Sequence, residues 1–257
     1  MIIRADDLAQ TNQTEWDASW RIAILRDSEY QRVCGKGERG AYTILYSRQF
    51  PSWKIQMGDF IDYSEKQNQN ALVILSEKEL AEVKQSYQGH ACNERFLRPD
   101  EPAVLVHSTT LECWESIQRD GCLKSWNRAR MESGLKEEKP IGHLLGDPEE
   151  FRDFIMFGAG VRCEIVVASK QAGHLVYDGN AEYQSGARLY LDAGKMASDG
   201  LLLRDGNHLK VKDQLPLNSY LLWAATWKEM GLPDRITTPS VFASIADKTF
   251  EKRQTSV

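Results

Sequence analysis

The chain has 257 residues and a formal net charge of −5, from 32 Lys and Arg against 37 Asp and Glu. Hydrophobic residues make up 42% of it and charged residues 27%, an ordinary globular composition that excludes a mostly disordered or collagen-like chain. The acidic balance argues against general coating of nucleic acid, while leaving room for a local basic pocket.

No apolar run approaches the roughly 20 residues of a membrane helix. The segment Met1 to Asp7 is mixed and charged, unlike a signal peptide. The five cysteines, Cys34, Cys92, Cys113, Cys122 and Cys163, form no CxxC pair. Reduced thiols in a cytoplasmic protein are expected, with no membrane contact and no metal site.

In chain order, Trp16, Trp20 and Ile24 recur every four residues and predict one face of a helix. Gly35, Gly37 and Gly40 interrupt it. Ala41 to Tyr46 reads as a strand, Lys54 to Tyr63 as a second candidate strand, and Ala71 to Leu75 as a short apolar strand. Ser76 with Glu79 three residues on forms a capping box for a helix ending near Gly89. Arg98-Pro99-Asp100-Glu101-Pro102 is a punctuated connector and marks the main boundary.

Beyond it, Ala103 to His107 reads as a strand, Thr110 to Arg119 as a helix, and Gly121 as its stop. Lys124 to Lys139 is charged and reads as a loop, and Glu149 to Phe157 as a short helix. Cys163 to Ala168, Arg188 to Leu191 and Gly200 to Leu203 read as buried strands, with Tyr220 to Trp227 a last strand or helix. The expected class is α+β. Residues 1–100 form a smaller α+β region, 101–235 the principal domain, and 236–257 a polar tail in which Val241 to Ile245 can dock.

No phosphate-binding loop, GxGxxG turn, HExxH helix or GxSxG elbow occurs. What the chain offers is Val104-Leu105-Val106-His107-Ser108-Thr109-Thr110, a His and hydroxyls at the end of an apolar strand. Such a strand end supplies hydrogen-bonding groups to a ligand, or simply the cap of the next helix.

The run VLVHSTTLECWESIQRDGCL resembles the opening of the RNA 2′-phosphotransferase family, within the ADP-ribosyltransferase superfamily. That family has a strand ending in His-Gly-Thr, then a helix with Trp-x-x-Ile and a Gly-Leu. Ile141-Gly142-His143-Leu144, Gly160 to Val167, and Asp199 to Tyr220 are similar to later family segments, in the right order. The resemblance covers roughly residues 101–225.

It implies a split mixed β-sheet of the ADP-ribosyltransferase type in the C-terminal half, and NAD as co-substrate without a metal. His107 would hold an NAD ribose, beside Ser108, Thr109 and Tyr183. Arg162 or Arg188 would take the family's arginine position and bind pyrophosphate or an acceptor phosphate. His143 would line the pocket, and Glu182 would polarise a ribose hydroxyl. ADP-ribose would pass to an RNA 2′-phosphate, another nucleic-acid site or a protein. The alternative is a non-catalytic NAD, ADP-ribose or nucleic-acid binding module on the same scaffold. Ser108 stands where the family has Gly, and residues 1–100 carry neither a basic stripe nor the family's Arg-His pair. The acceptor and the oligomeric state stay open.

Overall fold

The computed structural model describes residues 2–4, 16–35, 40–87, 94–133 and 140–255. The chain is α+β. It divides into two compact units: residues 1–94 with 145–151 and 203–210, and residues 95–144 with 152–202 and 211–257. The first crossing lies between residues 94 and 95, and two later short segments return to the first unit.

In the first unit the elements are β1 (Ile2–Arg4), β2 (Trp20–Arg26), β3 (Arg32–Gly35), β4 (Tyr42–Ser47), α1 (Trp53–Lys66), β5 (Asn70–Ile74) and α2 (Glu77–Ser86). They build one sheet in the order β1-β5-β2-β4-β3. β1, β5, β2 and β4 run parallel, and β3 is antiparallel to β4. The helix expected through Trp16, Trp20 and Ile24 is instead the central strand β2. Ile22, Ala23, Ile24 and Leu25 are all buried, as in a strand covered on both faces, so no polar alternation betrays it.

Lys54 to Tyr63 is likewise not a strand but most of α1. Trp53, Met57, Phe60 and Ser64 recur at three- and four-residue steps along its buried side. The capping box of α2 is present in both directions, Ser76 Oγ accepting from Glu79 N and the Glu79 carboxylate accepting from Ser76 N. The expected stop near Gly89 and the interruption at Gly37 lie outside the described residues.

A buried ionic cluster closes this unit. Asp205 accepts from Arg21 Nη2 at 2.7 Å and from Lys210 Nζ at 2.6 Å. Lys210 Nζ also sits 4.0 Å from the centre of the Tyr63 ring and 4.4 Å from that of Phe151. Arg21 lies over Phe60 at 5.0 Å and donates to Gln69 at 2.7 Å. Although burial pushes the Asp205 carboxyl up, the two cations outweigh it and hold the group down at about 2. His208 shares a 2.7 Å hydrogen bond with the Tyr42 hydroxyl, and burial lowers its imidazole to about 4.

The second unit contains β6 (Val104–Thr109), α3 (Leu111–Asp120), β7 (Cys122–Lys124), α4 (Trp126–Ser133), α5 (Ile141–Leu145), a 3-10 turn (Glu149–Asp153) and β8 (Phe154–Met156). α6 (Arg162–Ala172), β9 (Tyr183–Gln184), β10 (Ala187–Asp192), α7 (Ala193–Ser198), β11 (Leu202–Asp205) and β12 (His208–Lys212) follow. The chain closes with β13 (Gln214–Pro216), α8 (Leu217–Tyr220), β14 (Leu221–Ala225), β15 (Ile236–Thr237) and α9 (Pro239–Thr255). Of these elements, residue 145 of α5, residues 149–151 of the 3-10 turn, 203–205 of β11 and 208–210 of β12 count with the first unit.

The strands of this unit form several small sheets. β14, β10 and β6 make an antiparallel three-stranded sheet, while β13 pairs β7 and β15 pairs β9.

Several expectations are corrected here. Residues 126–133 of the expected loop are α4, and its residues 134–139 lie outside the described set. The short helix expected over 149–157 is a 3-10 turn followed by β8. Cys163 to Ala168 belongs to α6 rather than to a strand, with Cys163, Glu164, Val167 and Ala168 forming its buried stripe. In place of a polar tail, β15 and α9 occupy residues 236–237 and 239–255, and α9 buries Phe242, Ala243, Ala246 and Phe250. Phe250 stacks on Tyr190 at 4.2 Å, which fastens α9 to one face of the β10 sheet.

Candidate functional site

β6 ends in His107-Ser108-Thr109, and the chain turns at once into α3. Thr110 Oγ1 accepts from Cys113 N at 3.2 Å and caps that helix, which stops at Gly121 in the left-handed conformation. The strand end is crowded. A Cβ on Gly186, which leads into β10, would fall 1.8 Å from the Thr109 carbonyl oxygen, so only glycine passes there.

Register divides these side chains between two faces. Opposed residues on paired strands share a face, and successive residues alternate. His107 lies opposite Leu189 and Thr109 opposite Ala187, while Ser108 lies opposite Arg188 and Val106 opposite Tyr190. His107 and Thr109 therefore project from one side of β6, and Ser108 from the other with Arg188.

On its side, His107 places Nδ1 3.1 Å from the Met156 carbonyl oxygen, with its ring edge-on to Phe157. A carbonyl only accepts, so Nδ1 carries the proton. Burial lowers the imidazole pKa, against the opposing pull of Met156, and so favours the neutral ring. Nε2 is then a hydrogen-bond acceptor, suited to a hydroxyl and unsuited to an anion.

The opposite side holds a polar cluster that sequence reasoning did not foresee. Glu164 accepts from Ser108 Oγ at 2.5 Å, from Tyr183 Oη at 2.7 Å and from Arg188 Nη1 at 3.3 Å. Arg188 also grips Asp247 with two donors, at 2.9 and 3.2 Å, and donates to the Gly160 carbonyl. Tyr190 Oη donates to Asp247 at 2.7 Å. Burial pushes the Glu164 carboxyl up, opposed by the hydrogen bonds from Ser108 and Tyr183. Arg188 and Glu164 are each about 1% exposed.

Of the eight residues singled out by sequence, the fold thus joins Ser108, Tyr183 and Arg188, and sets His107 and Thr109 on the reverse of the same strand. Arg188 is engaged in an internal ion pair, so its guanidinium is not presented to a ligand phosphate on the His107 side. Arg162 begins α6 and is exposed, and Glu182 is exposed just before β9. His143 lies exposed on α5. Arg162 lies on a helix and not on a strand.

Glu164 carried one legible signal: at helical spacing it falls on the apolar stripe of Cys163, Val167 and Ala168, where a carboxylate needs partners. Reading that run as a strand concealed it. A shallow groove of about 700 Å³, lined by Trp114, Gln118, Cys122, Gln214, Leu217 and others, includes none of the eight residues. Comparison with known proteins finds no family model, curated protein or solved structure that matches the chain.

Proposed function

We propose that the second unit is an ADP-ribosyltransferase-like domain of split mixed-sheet type. On this reading it binds NAD at the carboxyl end of β6 and transfers ADP-ribose with release of nicotinamide. The observation that carries the reading is His107. Its Nδ1–H is committed to the Met156 carbonyl, so neutral Nε2 is left to accept a hydrogen bond from a ribose hydroxyl. Thr109, on the same face, adds a hydroxyl that both donates and accepts. Fixing the ribose in this way orients the bond to nicotinamide for attack by an acceptor.

The Ser in place of the family's Gly is compatible with this arrangement, because its side chain turns away to Glu164 and leaves only backbone at the His107 face. The acceptor is a phosphate, as in the RNA 2′-phosphotransferases, or a nucleic-acid or protein group. A second reading, a non-catalytic NAD or ADP-ribose binding module, draws support from the ion pairs that occupy Arg188 and from the exposed position of Glu182.

Incubating the purified chain with NAD separates the two, with free nicotinamide as the readout, in the presence and absence of an internally 2′-phosphorylated RNA. Release only with that RNA supports phosphotransfer. Release without it supports a glycohydrolase or another acceptor. Saturable NAD binding without release supports the binding module, and no binding at millimolar NAD contradicts both.

A further inference from the structure

We infer that Glu164 is a positioning residue for His107, acting from the reverse of β6 through Ser108. The functional meaning of this coupling rests on the proposed role of His107 as a ribose contact. The geometry of the strand end is the reason such a tie matters. On one edge β6 is paired with β10 as far as Thr109. On its other edge the described pairing is a single bridge from Val106 to Gly158, closed by Gly158 N–H donating to the Val106 carbonyl at 3.0 Å. His107, Ser108 and Thr109 therefore extend past the last tie on that edge.

Two side-chain anchors compensate. In front, the Met156 carbonyl takes the His107 Nδ1 proton. Behind, the adjacent residue Ser108 is bonded to Glu164, and Glu164 is itself fixed by donors from β9 and β10, Tyr183 and Arg188. A buried carboxylate with three donors from three strands leaves little freedom in its own rotamer. Because Ser108 and His107 are consecutive, a rotation of the strand that breaks the first anchor also displaces the imidazole on the opposite face.

A role confined to holding the fold together would alter melting without changing how His107 titrates. The test is therefore made on the full chain as wild type, Ser108→Ala and Glu164→Gln. The His107 imidazole Cε1–H resonance is followed by NMR against pH and assigned with a His107→Gln variant. NAD affinity is measured by calorimetry on the same samples.

In wild type, His107 titrates below the ordinary histidine range. In both variants, loosening of the strand end admits water and moves its titration up toward the ordinary value. The NAD dissociation constant rises on the order of tenfold to a hundredfold, the scale expected when a contact is displaced by about an ångström. Ser108→Ala removes one hydroxyl and keeps every charge, so it carries the test if Glu164→Gln does not fold. An unchanged His107 titration in folded Ser108→Ala overturns the coupling, whatever happens to NAD. A His107 titration that moves in a chain that binds no NAD upholds the coupling and removes the ribose role instead.

Discussion

Replacing Asp205 by Asn tests how the first unit is held together. The wild-type carboxylate is fully buried and neutralises two cations that are themselves buried, Arg21 and Lys210, at 2.7 and 2.6 Å. Asparagine keeps the shape but loses the charge, and its amide nitrogen has to face one of the cations. Glu150 lies 3.6 Å from Arg21, but its side chain is about one-third exposed and its charge is screened by solvent. Removing one partner of a buried pair costs about 3–5 kcal/mol, because the charge left behind stays out of water.

That figure is a large share of the stability of a typical domain. Replacing the three together, as Arg21→Met, Asp205→Leu and Lys210→Met, removes every charge of the triad and is expected to cost at least about 2 kcal/mol less than Asp205→Asn alone. Two units need not unfold together, so the assay follows urea unfolding through hydrogen exchange at the amides of Ile22, Ile44 and Leu72. A loss under about 1 kcal/mol for Asp205→Asn, or a triple variant worse than the single one, would refute this reading of the cluster.

Two further outcomes follow from the same physics. His208 has a folded pKa of about 4 against an ordinary 6.5, so the unfolded chain takes up the proton first as pH falls. Its contribution is intact above about pH 7 and is lost as pH drops through 4. The loss is about 3 kcal/mol, visible as a downward slope in stability that His208→Gln should flatten. Gly186→Ala places a methyl group 1.8 Å from the Thr109 carbonyl and forces β6 and β10 apart. It should cost about 3 kcal/mol or more by denaturant titration and weaken any ligand held at His107, and a neutral outcome would mean that the strand end is not closely packed.

Local chemistry made parts of this fold legible. The Ser76–Glu79 box, the Thr110 cap, the Gly121 stop and the β-branched runs of β4 and β5 are decided by residues a few positions apart. The misreadings share a different cause. β2 is covered on both faces and so lacks alternation, and the spacing of Trp16, Trp20 and Ile24 imitated a helix. α1 carries Gly58 within its span and begins without a side-chain cap. α6 holds the β-branched Ile165-Val166-Val167, and its packing overrides the strand propensity of that run.

α9 had its signals, Pro239 at the first position and Phe242, Ala246 and Phe250 at four-residue steps, but its polar residues masked them. At the candidate site, the strand end His107-Ser108-Thr109 was readable. The division of its side chains between two faces was not, because it depends on pairing with Leu189 and Arg188 some eighty residues later. Glu164 was hidden for the same reason, since its donors lie 56, 19 and 24 positions away.

The most direct measurement of the central claim is a calorimetric titration of wild type and His107→Ala with NAD, with nicotinamide followed in the same cell. Saturable binding to wild type is expected, lost or weakened at least about tenfold in a folded His107→Ala chain, since a single well-placed hydrogen bond is worth about 1.4 kcal/mol. Equal binding by the two proteins, or none by wild type at millimolar NAD, would contradict it.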